Sequence, residues 1–145
     1  MIQIRQINPK EFAEVFQAEN KWKEHTQKRF RKDTIEMVAT GEGIDWMAVA
    51  EEDGQMVGIT FTIERQGTHW GCTIVKKEYR KSGIGRKLLS YRKKHCPYRV
   101  VSKVGCTNLA SIKVCLQAGM ELKDAKLADL KEEFPDPDPI LLLME

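Results

Sequence analysis

The chain has 145 residues, 41% hydrophobic and 31% charged, with a net charge of +3. A chain of this length buries a core of its own, and its composition excludes a disordered, collagenous or disulfide-dense protein. No run approaches the ~18 apolar residues of a membrane span, so a membrane is not an expected partner.

Residues 1–7 alternate like a strand and not like a secretory signal, which makes the cytoplasm the expected compartment. Asn8-Pro9 ends that strand and starts a helix, with Asn8 as N-cap, Pro9 in the first position and Glu11 in the first turn. Phe12, Val15 and Phe16 share a face of this helix. A second helix is expected over about residues 21–39. Its apolar positions (Trp22, Phe30, Ile35, Met37, Val38) are sparse, its outer face is basic, and Gly41-Glu42-Gly43 ends it. Residues 45–51, 55–65 and 69–75 read as three strands of an antiparallel meander, turned first at Asp53-Gly54 and then at Gln66-Gly67. A helix follows over residues 85–94, with Leu88, Leu89 and Tyr91 inward and a basic outer face. Residues 99–104 form a strand and residues 108–118 a helix capped by Gly119. Beyond Met120, the spacing of Leu127, Leu130 and Phe134 suits a short acidic helix. The Asp-Pro repeat at 135–139 cannot be regular structure, and 140–144 is a last strand. The expected order is β-α-α-β-β-β-α-β-α-β, an α+β arrangement in which residues 1–145 form a single domain.

Charge is uneven along this order. Residues 21–32 carry six basic side chains and one acidic, residues 76–94 nine and one, and residues 121–145 eight acidic and three basic. Cys72, Cys96, Cys106 and Cys115 form no CxxC pair and no zinc spacing, so they read as reduced thiols and no metal is expected.

The most informative stretch is 74–89: a strand end, a basic turn with Gly83 and Gly85, then a helix. Glycine lets the backbone approach an anion closely. The first helical turn offers unpaired N–H groups at the positive end of the helix dipole. Arg80, Lys81 and Arg86 add positive charge. The Walker pattern is absent. The dinucleotide fingerprint would need a third glycine where Leu88 stands, and it belongs in a parallel βαβ unit, whereas this turn follows a meander.

Arg80-x-x-Gly83-x-Gly85 strongly resembles the acetyl-CoA loop of the GNAT family of N-acetyltransferases, whose signature is [Gln/Arg]-x-x-Gly-x-[Gly/Ala]. Ile74-Val75-x-x-Glu78-Tyr79-Arg80 resembles the strand end ahead of that loop. Asn108-x-x-Ser111-Ile112-x-x-x-Leu116-x-x-Gly119-Met120 resembles a second family segment, with Met120 where Phe is usual. The element order matches over essentially the whole chain. The resemblance implies an α+β fold with a central mixed, mostly antiparallel sheet flanked by helices. It implies an acyltransferase that moves an acetyl group from acetyl-CoA to an amine of a small molecule or peptide, by direct attack in a ternary complex. The backbone of Thr73, Ile74 and Val75 would pair with the pantetheine arm. Arg80, Lys81, Ser82, Gly83, Ile84, Gly85 and Arg86 would wrap the pyrophosphate. Asn108 would hydrogen-bond the pantetheine arm, with Ser111 and Cys115 on the same helix face.

Two positions depart from the family. Cys115 stands where a Tyr usually protonates the departing thiolate. A thiol of ordinary pKa, about 8.5, can serve as that acid, and Cys115 reads equally as a packed core thiol with water in the role. His69 stands where a Glu base is usual, and an imidazole of pKa near 6.5 suits that task. Glu64 is its rival, and a structural strand-end histidine beside Trp70 is the other reading. Acceptor choice would lie with residues 19–46 and the region after Met120. The basic run at 21–32 suits an anionic acceptor and reads equally as a solvated face; Trp22, Phe30 and Trp46 are pocket or core. Two other functions stay open. One is a family member that binds acetyl-CoA without transferring it, which the missing Tyr supports. The other is a nucleic-acid binder, which the basic runs support; the modest net charge and the lack of a recognition-helix pattern or aromatic platform oppose it, so nucleic acid is not the expected partner. A homodimer is allowed but not read from the sequence.

Overall fold

The first strand, β1 (Ile2–Gln6), gives way at Asn8 to α1 (Pro9–Ala18). Asn8 caps that helix by accepting a hydrogen bond from the Lys10 backbone N–H at 3.0 Å, as its residue type predicts. The computed structural model describes residues 1–27, 30, 32–105, 109–126 and 140–144. After α1 come α2 (Asn20–Gln27), α3 (Lys32–Thr40), β2 (Ile44–Glu52), β3 (Gln55–Arg65) and β4 (Thr68–Val75). A short 3-10 turn (Lys77–Tyr79) leads to α4 (Ile84–His95), β5 (Val100–Gly105), α5 (Leu109–Gln117), β6 (Glu121–Lys126) and β7 (Ile140–Met144). The seven strands form one sheet in the order β1-β2-β3-β4-β5-β7-β6. Neighbours are antiparallel except β4 and β5, which are parallel. This is the expected mixed α+β architecture.

Both hairpin turns are made by their predicted residues. Asp53 and Gly54 have φ of 51° and 78°, and Gln66 and Gly67 have φ of 52° and 80°. Two left-handed residues in a row match the twist of the strands they join. Met120 N–H reaches Cys115 C=O and Gly119 N–H reaches Leu116 C=O, each at 3.0 Å. Those two bonds close α5 with the glycine cap read from the sequence.

Three expectations need correction. The helix expected over 21–39 is two helices, α2 and α3. Trp22 and Val38 are both fully buried, yet at ~100° per residue they would stand about 160° apart on one straight helix. The break lets each turn inward. The second correction is β6, a strand in a stretch of charged residues with little β preference. Its structure comes from pairing along β7 and not from local propensity. The third is Arg92: the outer face of α4 is basic, but Arg92 points inward and is fully buried. The acidic helix expected near 127–134 and the Asp-Pro repeat lie outside the described residues.

Over β2 and β3 the sheet buries both faces. Under α1, α2 and α3, Phe12, Phe16, Trp22 and Val38 pack on Met47, Val49, Ile59, Phe61, Ile63 and Ile74. Phe12 meets the Trp22 ring edge-on at 5.1 Å, and Phe30 meets Phe61 the same way at 5.9 Å. Trp22 and Trp46 are therefore core residues. Under α4, Ile84 and Leu88 pack on Ala50 and Val57. Cys115 lies between α4 and α5 in an apolar cluster with Leu89 and Met120.

Candidate active site

The parallel pair β4 and β5 stays together only briefly. Its register holds two pairs, His69 with Val100 and Trp70 with Val101. On its other side β4 pairs with β3 along its whole length, from Thr68 to Val75. So from Gly71 onward β4 has a strand on one side and a parted wall on the other. Backbone groups along such an edge can accept an extended chain as an added strand. Thr73, Ile74 and Val75, read from the sequence as the residues that pair with an extended arm, lie on that edge.

The edge runs straight into the glycine turn. Arg80 Nε donates to the Val75 carbonyl at 3.2 Å, and Ser82 Oγ donates to the Tyr79 carbonyl. Lys81 has φ of 63° and Gly83 of 85°, and Gly83 is the N-cap of α4. Alternation of left- and right-handed residues curls successive N–H groups into an anion-binding concavity. Arg80, Lys81, Ser82 and Arg86 are exposed around it. Ile84 is buried, so its side chain anchors the turn and leaves only its backbone as a group that could meet an anion. Among the described residues a Cβ on Gly85 would meet nothing closer than Val114 Cγ1 and Val75 Cγ2, both at 3.8 Å. The packing of the chain itself therefore does not require glycine there, and the open space is what a closely approaching ligand needs. Ser111 is half-buried on α5. Asn108 lies outside the described residues.

Where β4 and β5 separate, Arg92 fills the angle. Its Nη1 donates to Thr60 Oγ1 at 3.0 Å and lies 3.5 Å from Thr73 Oγ1. Its Nη2 donates to Ser102 Oγ at 3.2 Å. One guanidinium thus ties β3 and β4 to β5 across the gap. A Cβ on Gly71 would lie 2.5 Å from both Arg92 Nη1 and Val100 Cγ1, so glycine is needed there for space. Sequence reading missed Arg92, although Ile84, Leu88 and Arg92 recur every four residues on the inward face.

His69 sits at the closed end of the same gap, and its ring is held from two sides. Nδ1 is 3.1 Å from Asp45 Oδ2. Tyr98 stacks on the ring with centroids 4.0 Å apart and planes 7° apart. Glu64, the rival base, is directly opposite His69 in the β3–β4 register. Its Oε1 accepts the Gly67 N–H at 2.9 Å, which makes it a turn-holding residue. Cys115 sits in the apolar cluster described above, 5% exposed.

The turn is also tied to the first helices. Lys76 Nζ donates to Glu19 at 2.7 Å and lies 5.2 Å from the Trp22 ring centroid. Lys21 pairs with Glu78. The hydrogen bond from Lys21 holds the Glu78 carboxyl below its ordinary 4.5, and the same bond holds the Lys21 ammonium above its ordinary 10.5. A depressed carboxylate adds stability above 4.5, lost as pH falls through its folded value; a raised ammonium adds stability below 10.5, lost as pH rises through its folded value. Both side chains are exposed, so the effect is small and salt-screened. Glu78→Gln is expected to lower the melting temperature slightly between those limits. The difference should vanish in strong acid and at 1 M salt; a difference that survives acid would assign the loss to something other than this pair.

Among the described residues, no group of three His, Cys, Asp or Glu side chains could hold a metal ion, and no helix is long and apolar enough to cross a membrane.

The fold recurs widely among solved structures. The yncA protein of Salmonella typhimurium, solved with its cofactor acetyl-CoA, superposes with a TM-score of 0.71 at 20% identity, covering 99% of this chain and 92% of that one. A GNAT-family acetyltransferase from Streptococcus pneumoniae gives 0.70 at 15% identity, covering 100% and 98%. The ribosomal-protein-alanine N-acetyltransferase of Brucella melitensis gives 0.68 at 19%, covering 99% and 98%. At these identities the likeness is one of fold. No curated protein matches the chain by sequence. The family model of the acetyltransferase (GNAT) domain matches residues 6–110, a span that holds the meander, the parted edge and the glycine turn, and the chain therefore belongs to the GNAT acetyltransferase family.

Proposed function

We propose that the protein transfers an acetyl group from acetyl-CoA to an amine. The observation that carries this reading is the one-sided parting of β4 from β5, which opens directly onto the Arg80–Arg86 turn. Thr73, Ile74 and Val75 would hold an extended arm by strand-like hydrogen bonds. The N–H groups after Lys81 and Gly83, with Arg80, Lys81 and Arg86 around them, would hold the phosphates. When bound, acetyl-CoA supplies the activated acyl carbon. His69 is the proposed base: its open nitrogen takes the proton that the acceptor amine must lose. The apolar surroundings of Cys115 favour a packing role, with water protonating the departing sulfur.

Relatives of this fold include enzymes named for spermidine and for ribosomal-protein alanine, one a small polyamine and the other a peptide amine. Both support the reading of the acceptor as an amine of a small molecule or a peptide. Acetyl-CoA at 100 times its Kd is expected to stabilise the protein by about 2.7 kcal/mol, read as a rise in melting temperature. Free-thiol release across a panel that includes spermidine and an alanine-initiated peptide then tests transfer. No stabilisation by acetyl-CoA or CoA would overturn the proposal. Stabilisation with no acceptor-dependent thiol release would favour binding without transfer, the reading that the absent Tyr supports.

A further inference from the structure

Resting on the reading of His69 as base, we infer that Asp45 is a positioning residue that fixes the His69 ring and leaves Nε2 as its exchanging nitrogen. Three observations bear on it. Ile44 pairs with Ile63 and Trp46 with Thr62, so the β2 ladder skips Asp45. A residue set outside the ladder in this way can be aimed where a paired residue cannot. Asp45 reaches past β3 to His69 on β4, where its Oδ2 stands 3.1 Å from Nδ1. The partner of a carboxylate oxygen must donate, so Nδ1 carries the hydrogen and the lone pair of neutral His69 is on Nε2. Tyr98, from the connection between α4 and β5, fixes the plane of the same ring by stacking.

The remaining nitrogen is left open. Among the described residues Nε2 has no hydrogen-bond partner. Glu64, the nearest acidic residue in register, is exposed and engaged with Gly67, and Tyr98 presents its ring face. Both imidazole and carboxylate are a quarter exposed, which leaves a path for an amine. His69 stands one residue before the last β4–β5 pair, at the closed end of the gap where an acyl group at the tip of an extended arm would lie.

An ammonium acceptor gives one proton to Nε2, the amine nitrogen bonds to the acyl carbon, and the carbon–sulfur bond breaks with its electron pair going to sulfur. The second nitrogen-bound proton ends on sulfur by way of water, and Nε2 returns its proton to solvent. Asp45 stays a carboxylate throughout and accepts the Nδ1 hydrogen.

Two readouts test this, and the first needs no acceptor. In the 15N-histidine protein, two-bond 1H–15N correlation above the imidazole titration range reports the tautomer of each of the three histidines, with His69 assigned from the spectrum of His69→Ala. Wild type is expected to hold His69 as the Nδ1–H form and Asp45→Ala to shift it to mainly Nε2–H. An Nε2–H wild type, or a tautomer unchanged in Asp45→Ala, overturns the inference. Should Asp45→Ala fail to fold, Asp45→Ser serves in its place. The second readout is acetyl transfer to spermidine or to the alanine-initiated peptide, whichever turns over. Asp45→Ala is expected to lower kcat at least tenfold, leave the KM for acetyl-CoA within twofold, and add nothing further in a His69→Ala background. An equal loss in both backgrounds would show Asp45 acting apart from His69 and overturn the inference. Wild-type kcat in His69→Ala would remove the base reading and the inference with it. A kcat that needs His69 and is unmoved by Asp45→Ala would remove the inference alone.

Discussion

Arg92→Ala is expected to lose about 3 kcal/mol of stability in urea denaturation, the cost of emptying a fully packed site. It should also lose most of its affinity for acetyl-CoA. Arg92 is fully buried, and its guanidinium holds the hydroxyls of Thr60 and Ser102 at 3.0 and 3.2 Å. The side chain therefore does two jobs: it fills the angle between two strands, and it satisfies polar atoms on both. Arg92→Met separates them. Methionine occupies much of the volume without donating, and the Thr60 and Thr73 hydroxyls, 2.9 Å apart, can still bond to each other. A smaller loss, of about 1 kcal/mol, is expected for Met, because the relief of no longer burying a charge offsets much of the value of the missing hydrogen bonds. Equal losses for Ala and Met would assign the stability to the hydrogen bonds. Unchanged stability and acetyl-CoA affinity in both variants would dismiss Arg92 as the wedge.

Gly83→Val is expected to raise the Kd for acetyl-CoA at least 30-fold, measured by calorimetry, while lowering stability by only about 1–2 kcal/mol. Among the described residues no atom beyond its chain neighbours and its own helix backbone lies within 4 Å of a Cβ built on Gly83, and its φ is 85°. The defect is therefore one of backbone conformation and not of crowding. A β-branched residue is disfavoured in that region, so the turn would refold and its N–H groups would no longer converge. Gly85→Ala is the control for the unliganded fold. Its Cβ makes only ordinary contacts, so melting should not fall, and any loss of affinity there reports contact with the ligand. Wild-type affinity in Gly83→Val would show that the left-handed turn does not hold the phosphates.

The features that were legible in the sequence are local. Asp53-Gly54, Asn8-Pro9, the glycines of the turn and the Gly119 cap each act within a few residues, so residue type announces them. The features that were not legible are set by partners far along the chain. Arg92 reads as a surface cation because charge on a helix normally marks solvent, and its hydroxyl partners at positions 60, 73 and 102 have no spacing that would reveal them. Asp45 reads as the first residue of an ordinary strand, since a bulge is visible only when two strands are set side by side. β6 takes its conformation from β7. The break between α2 and α3 was available in principle, from the angle between Trp22 and Val38.

The C-terminal half of the sheet is closed across a long stretch of chain. β7 lies between β5 and β6 although it is the last of the three in the chain. β1 to β4 assemble largely from hairpins between sequence neighbours, which close quickly. β5 and β6 each need residues 140–144 for their ladders, and β5 must wait for a connection of more than thirty residues to close. A chain stopped short of residue 140 would therefore hold the meander, yet its β5 would lack the strand that backs it. The wall of the gap opposite β4 is thus expected to depend on a ladder closed across a long stretch of chain, whereas β4 itself is held by a hairpin neighbour.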